Sequence, residues 1–135
     1  MSQQVLRVPQ VPDDARRASI VFQLGDGVSA ITTAEREQWL EVNFPATIEA
    51  ATLLADAAGS IVVDVWRDSY ANYPPVVGDS ICGSAKPTLS SAQKSQDTTL
   101  SGWTTALARG DVLKVHVDSA SVVKGVTLAL RVIRT

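Results

Sequence analysis

The side chains able to do chemistry in this chain are few. There is one histidine, His116, and one cysteine, Cys82. Four aspartates, Asp56, Asp64, Asp68 and Asp79, fall near the densest run of aromatics, where Trp66, Tyr70 and Tyr73 lie within eight residues and close on Pro74-Pro75. A Ser-His-Asp triad needs a base held between nucleophile and orienting acid, and one His on an alternating strand offers no such set. No G-x-S-x-G frame occurs, so a nucleophile elbow is not expected. Glycoside hydrolysis needs two carboxylates facing across a cleft. Turn chemistry accounts for three of the four aspartates, and we read Asp64 as an outward-facing charge on a half-buried strand. His116 reads as a surface residue and Cys82 as a small buried apolar one. The aromatic loop is the better candidate. Tyr and Trp rings combine apolar area with a polar handle and stack on sugar C–H faces, so Trp66, Tyr70 and Tyr73 are the candidate surface or ligand-loop residues. The competing reading is that Trp66 and Tyr70 fill the core edge.

Two short motifs carry less. Gly25-Asp26-Gly27 is a turn signal and lacks the ligand series of a calcium loop. Arg109-Gly110-Asp111 matches an adhesion tripeptide, but Gly-Asp turn chemistry explains it. With no catalytic, cofactor or metal set expected, the chain reads as non-enzymatic.

These residues must be positioned by strands. Ala18 to Leu24, Val28 to Thr33, Gln38 to Phe44 and Thr47 to Ala55 are short segments of alternating or β-branched character. Asp56-Ala57-Ala58-Gly59 reads as a tight turn, with Gly59 free to take positive φ and Asp56 bonding forward. Ser60 to Trp66 follows as the most β-branched run, with Ile61, Val63 and Val65 on one face. Ala34 to Gln38 is too short for a stable helix. Thr88 to Lys94 reads as an edge strand, since Lys and a nearby Pro suit an edge. Val112 to Val117 alternates, with Leu113, Val115 and Val117 inward. Val126 to Val132 alternates too, and a strand of this length ending the chain is expected inside a sheet. Eight to ten short strands with turn signals every eight to twelve residues predict an all-β antiparallel sandwich, jelly-roll-like, over residues 18–135.

Residues 1–17 form a separate segment, an extended N-terminal arm. Val5, Leu6, Val8 and Val11 are apolar, but Pro9 and Pro12 break any regular ladder. Such an arm either lies on its own domain or reaches a neighbouring subunit; we favour the neighbour and expect Val5, Leu6, Val8, Pro9 and Val11 to bind it.

Composition narrows the partners. The 135 residues suit one domain with a real core. Net charge is −2, and Lys and Arg are scattered, so no nucleic-acid footprint is present. One cysteine excludes an internal disulfide framework. The opening residues show no basic start followed by an apolar run, and no stretch approaches membrane-spanning length, so neither a signal peptide nor a membrane anchor is expected. At 19% charged residues the chain is sparsely charged, which fits either burial of surface against partners or an ordinary core with many Ala and Val.

One resemblance goes further. Phe44 to Ile48, Ala51 to Asp56, Gly59 to Trp66, Tyr70 to Pro75, Asp79 to Ile81, Lys94-Ser95, Leu100 to Thr105, Gly110 to Leu113, Val117 to Ala120 and Val126 to Leu130, in that order, resemble a small β-sandwich domain that recurs in tailed-bacteriophage virion surface proteins. It covers about two-thirds of the chain; the first 17 residues match nothing in it. The resemblance implies a non-enzymatic domain, found at tail-fibre ends and in related decoration modules, working as a homotrimer. In the family a long shaft precedes the domain, whereas here an arm does. The expected role is therefore a capsid decoration or cement protein in the virion, assembled in the host cytoplasm. Its partner would be the major capsid protein or another virion protein, reached through the arm and one sandwich face. The alternative is a tail-fibre tip or baseplate-associated protein that contacts a host glycan.

Overall fold

The computed structural model describes residues 11–33 and 38–135. The chain is all-β and antiparallel. Its strands are β1 (Arg17–Leu24), β2 (Gln38–Glu41), β3 (Ala46–Ser69), β4 (Thr88–Asp97), β5 (Ala106–Leu107), β6 (Asp111–Ser121) and β7 (Val126–Arg134). They form a seven-stranded sheet of order β1-β7-β3-β6-β2, with β4 and β5 also paired to β3. The sheet curls into a half-barrel, consistent with the expected jelly-roll-like sandwich. As expected, the final strand is interior, lying between β1 and β3.

Everything hangs on β3, which runs 24 residues without a break. Its first half pairs with β7 from Ala46↔Arg134 to Ala55↔Val126. Its second half pairs with β6 from Ser60↔Ser121 to Ser69↔Asp111. Between Ala55 and Ser60 the strand changes partner from β7 to β6 within the one curled sheet. The β4 strand follows it along the opposite edge, from Ala51↔Asp97 to Val62↔Thr88, with register shifts on both sides of Gly59. Bulges of this kind bend a strand and raise its local twist.

This overturns the expected hairpin turn at Asp56 to Gly59. Gly59 is not among the glycines with positive φ. It is required by crowding instead: an added Cβ would lie 2.7 Å from Val123 Cγ1 and 2.8 Å from the Ser121 carbonyl. Asp56 does cap a turn, but a distant one. Its Oδ1 accepts the backbone N–H groups of Lys124 and Gly125 at 2.9 and 3.0 Å, and its own N–H donates to the Gly125 carbonyl. Those bonds hold the Asp56 carboxyl below its ordinary value. The β6–β7 connection is thereby riveted to the corner of β3.

Three further expectations change. Val28 to Thr33 is bent chain rather than strand; Asp26 Oδ1 gathers the N–H groups of Val28 and Ser29 into the turn after Gly25. The strand expected over Gln38 to Phe44 stops at Glu41. Beyond it, Val42 still bonds Asp111 and Gly110 through its backbone. The arm does not stay extended through residue 17. Asp13–Arg16 makes one helical turn, α1, with Asp13 and Asp14 in its first turn and Arg16 at its end, the order that suits the helix dipole. Arg16 bonds the Arg134 carbonyl at 2.9 Å, and Arg17 bridges Asp14 at 2.7 Å and Glu49 at 2.9 Å. These contacts fix the root of the arm beside the chain's last strand.

The core is one buried cluster: Phe22 and Leu24 of β1, Leu128 and Leu130 of β7, and Leu53, Val63 and Val65 of β3 join Leu113 and Val115 of β6. No helix among the described residues is long and apolar enough to cross a membrane.

Candidate functional site

Two neighbouring arrangements at the second half of β3 hold the chemistry. Strand alternation sends Ile61, Val63 and Val65 into the core and Val62, Asp64 and Trp66 to the opposite face. The expected outward charge at Asp64 is not exposed: only 1% of the residue meets solvent. Its Oδ1 accepts the Val65 N–H at 2.9 Å and the Ser80 hydroxyl at 2.6 Å. Its Oδ2 accepts the Trp66 indole N–H at 3.0 Å and lies 3.6 Å from Lys86 Nζ. Burial is tolerable because four donors saturate the carboxylate. The alternation was read correctly, but the cover over it was not legible. The 80–87 segment returns across this face through the Trp66↔Ser80 bridge and the Ile81 N–H to Val65 carbonyl bond.

Lys86 extends the network. Its ammonium lies 2.6 Å from Asp118 Oδ2, and Asp118 Oδ1 lies 2.9 Å from His116 Nδ1. The Asp118 bond raises the Lys86 pKa. For Asp118, burial pushes upward, but the Lys86 and His116 contacts win and hold the carboxyl below its ordinary value. His116 is half-buried rather than a free surface residue: it stacks on Trp66 with ring centroids 4.7 Å apart and planes 16° apart. Lys114 Nζ sits 4.4 Å from the Trp66 centroid and 5.6 Å from that of Trp39. Trp66 is therefore a buried ring, 8% exposed, contacted by a cation and an imidazole, and it belongs to β3 rather than to the loop. Cys82 is fully buried, and burial pushes its thiol up to about 12. At neutral pH it is an inert thiol.

The loop after β3 behaves differently. Tyr70–Asn72 and Val77–Asp79 are single 3-10 turns. Tyr70 is 73% and Tyr73 49% exposed. Trp39, 45% exposed on β2, meets Tyr73 with centroids 6.5 Å apart. Val76 and Val77 are exposed beside them. Four exposed apolar side chains thus lie on this one loop, and Trp39 of β2 meets one of them. Trp39 could have been added from sequence, because alternation on QWLE puts it opposite Leu40; its contact with Tyr73 is a tertiary event.

Next to this loop lies a cleft of about 520 Å³ lined by Arg67 to Ser69, Asn72, Gly78 to Ile81, Thr104, Ala108 and Asp111. Asp68 Oδ1 accepts the Ser69 N–H at 2.8 Å and the Asn72 amide at 3.3 Å. Asp79 Oδ2 accepts the Val76 N–H at 2.8 Å. Asp111 Oδ2 accepts the Ala108 N–H at 2.8 Å and lies 3.9 Å from Arg67 Nε. Arg67 also donates to the Ala106 carbonyl. The aspartate of the Arg-Gly-Asp tripeptide is thus turned inward. Of the four aspartates near the aromatic run, Asp68 and Asp79 share this cleft. Asp64 lies behind Ser80, and Asp56 sits at the corner of β3.

Among the described residues, no group of three His, Cys, Asp or Glu side chains could hold a metal ion. Of the arm residues expected to bind a partner, Val5, Leu6, Val8 and Pro9 lie outside the described residues. Val11 lines a small apolar groove with Phe44, Pro45 and the chain's last two residues.

No family model and no curated protein matches the chain. Among solved structures, RmlC from Streptococcus suis in complex with dTDP-D-xylose aligns over 90% of this chain at 11% identity and a TM-score of 0.34. The chain spans only 46% of that protein's length. A chain of the cyanophage Pam1 capsid asymmetric unit aligns over 88% of this chain and 82% of its own length, at 18% identity and a TM-score of 0.29. Likenesses this distant carry no argument about role.

Proposed function

We propose that this chain is a non-enzymatic structural protein of a tailed-bacteriophage virion. In this reading it decorates or cements the capsid, docking on the major capsid protein or another virion protein as a trimer. The order of motifs from Phe44 to Leu130 supports the virion assignment. The observation that carries the docking role is the exposure of Tyr70, Tyr73, Val76 and Val77 on one loop, with the exposed Trp39 ring against Tyr73. Exposed apolar groups gathered in one place mark interaction surfaces, and aromatic anchors dominate such interfaces. The polar groups of the adjoining network are engaged with each other, which suits a scaffold better than a catalyst.

The test is re-addition to capsids that lack the protein. Wild-type protein is expected to saturate them. A Val76→Asp/Val77→Asp variant, altered only at exposed positions, is expected to lose occupancy, and so is a chain lacking residues 1–10. Full occupancy by both would overturn attachment through this face and the arm. Mass spectrometry of separated heads and tails decides between decoration and the alternative tail-tip or baseplate location. The exposure of Tyr70 is the one feature that favours the tail-tip reading.

A further inference from the structure

We propose that the cleft beside the aromatic loop is a saccharide site that takes an uncharged pyranose unit. This goes beyond a structural role and does not depend on whether the protein sits on head or tail. The size is right: small-molecule sites run from about 300 to 1,000 Å³, and this one is about 520 Å³. The lining is the stronger argument. A lipid or a hydrophobic peptide would need apolar walls. These walls are a guanidinium (Arg67), an amide (Asn72), a hydroxyl (Thr104) and three carboxylates (Asp68, Asp79, Asp111). Planar groups with paired donors or acceptors match the vicinal hydroxyls of a sugar ring.

The groups are also held in place before any ligand arrives. Arg67 is fixed by Asp111 and the Ala106 carbonyl. Asn72 donates to Asp68, which leaves its amide carbonyl as an acceptor. Asp79 is fixed by the Val76 N–H. Groups ordered in advance lose little entropy on binding. One cation against three carboxylates makes the cleft negative, so uronic or sialic acids and phosphates are repelled. Tyr70 sits between the lining residues Ser69 and Asn72 with its ring open to solvent. That ring can cover the C–H face of a pyranose at the rim.

The test titrates 15N-labelled full-length protein with maltotriose, cellotriose, tri-N-acetylchitotriose and trigalacturonate, with a chelator present. At least one neutral trisaccharide is expected to shift the amides of residues 67–72 and 78–81 in a saturable way. Asn72→Ala and Tyr70→Ala should each weaken that binding by about tenfold, equivalent to ~1.4 kcal/mol. Both side chains are exposed enough that thermal melts should match wild type. The proposal is overturned if no neutral sugar shifts the cleft, if trigalacturonate binds best, or if both folded variants bind like wild type. A response to calcium alone in the absence of chelator also counts against it.

Discussion

Asp64 and Trp66 lie within nine residues of Tyr70 and Tyr73, yet the two pairs have opposite fates. The first pair sits on a strand with neighbours on both edges. β6 supplies Lys114 and His116, and the returning 80–87 segment supplies Ser80 and Lys86. A charged and an aromatic side chain are thereby locked into a saturated network. The second pair follows the end of β3, beyond its pairing with β6; Trp39 of β2 meets Tyr73, yet both tyrosine rings stay largely open. A dense aromatic run in sequence thus divides into a rivet and a contact surface. What separates them is the presence of flanking strands, not residue type.

The sharpest way to break this contrast is Asp64→Ala. It removes the acceptor for the Val65 N–H, the Ser80 hydroxyl and the Trp66 indole at once. Stranded buried donors cost about 1–3 kcal/mol each, so a loss of about 3 kcal/mol or more is expected in urea unfolding. A change below about 1 kcal/mol would mean that the network is not a rivet. Gly59→Ala tests the corner that sets the second half of β3 against β6. The new Cβ meets Val123 and the Ser121 carbonyl, and overpacking of this kind costs about 1–3 kcal/mol. A neutral result in thermal melts would show that the corner relaxes freely.

Acid acts on the riveted side through Asp56 and Asp118. Both carboxyls are held below their ordinary value when folded. A depressed folded value contributes stability that is complete above the unfolded value, about 3.9, and is lost as pH falls through the folded one. The urea midpoint is therefore expected to drop below about pH 4, and to drop less steeply in Asp56→Asn, which keeps a side-chain carbonyl for the Lys124 and Gly125 N–H groups. Equal slopes would remove Asp56 from the account. The smallest effect is expected on the open side: Tyr70→Ala should shift stability by less than about 0.5 kcal/mol, measured in the same urea series. A large loss would place Tyr70 in the core edge after all.

Much of the fold was legible in the residues. Alternation in ALVIR-type runs identified the inward faces of β6 and β7. Gly25-Asp26-Gly27 marked the turn after β1 and Gly110-Asp111 the one before β6, and Cys82 was placed in the interior by type. The candidate site was legible only in part. Tyr70 and Tyr73 were found by clustering, whereas Trp39, Lys114 and Arg67 were missed because their partners are remote in sequence. The error at Asp56 to Gly59 has the same origin. An Asp and a Gly three residues apart suit a local hairpin, and nothing local reveals that the Asp caps a turn 68 residues on.

The amino-acid sequence by itself determined that this is an antiparallel all-β chain with one core, because side-chain alternation and turn chemistry act over a few residues. Tertiary structure alone decided that β3 runs unbroken from its pairing with β7 to its pairing with β6, that Asp64 is buried, and that a polar cleft opens beside the loop that carries Tyr70. Each of those depends on which distant strand supplies the next hydrogen bond or covers the next side chain, and local pattern carries no record of that choice.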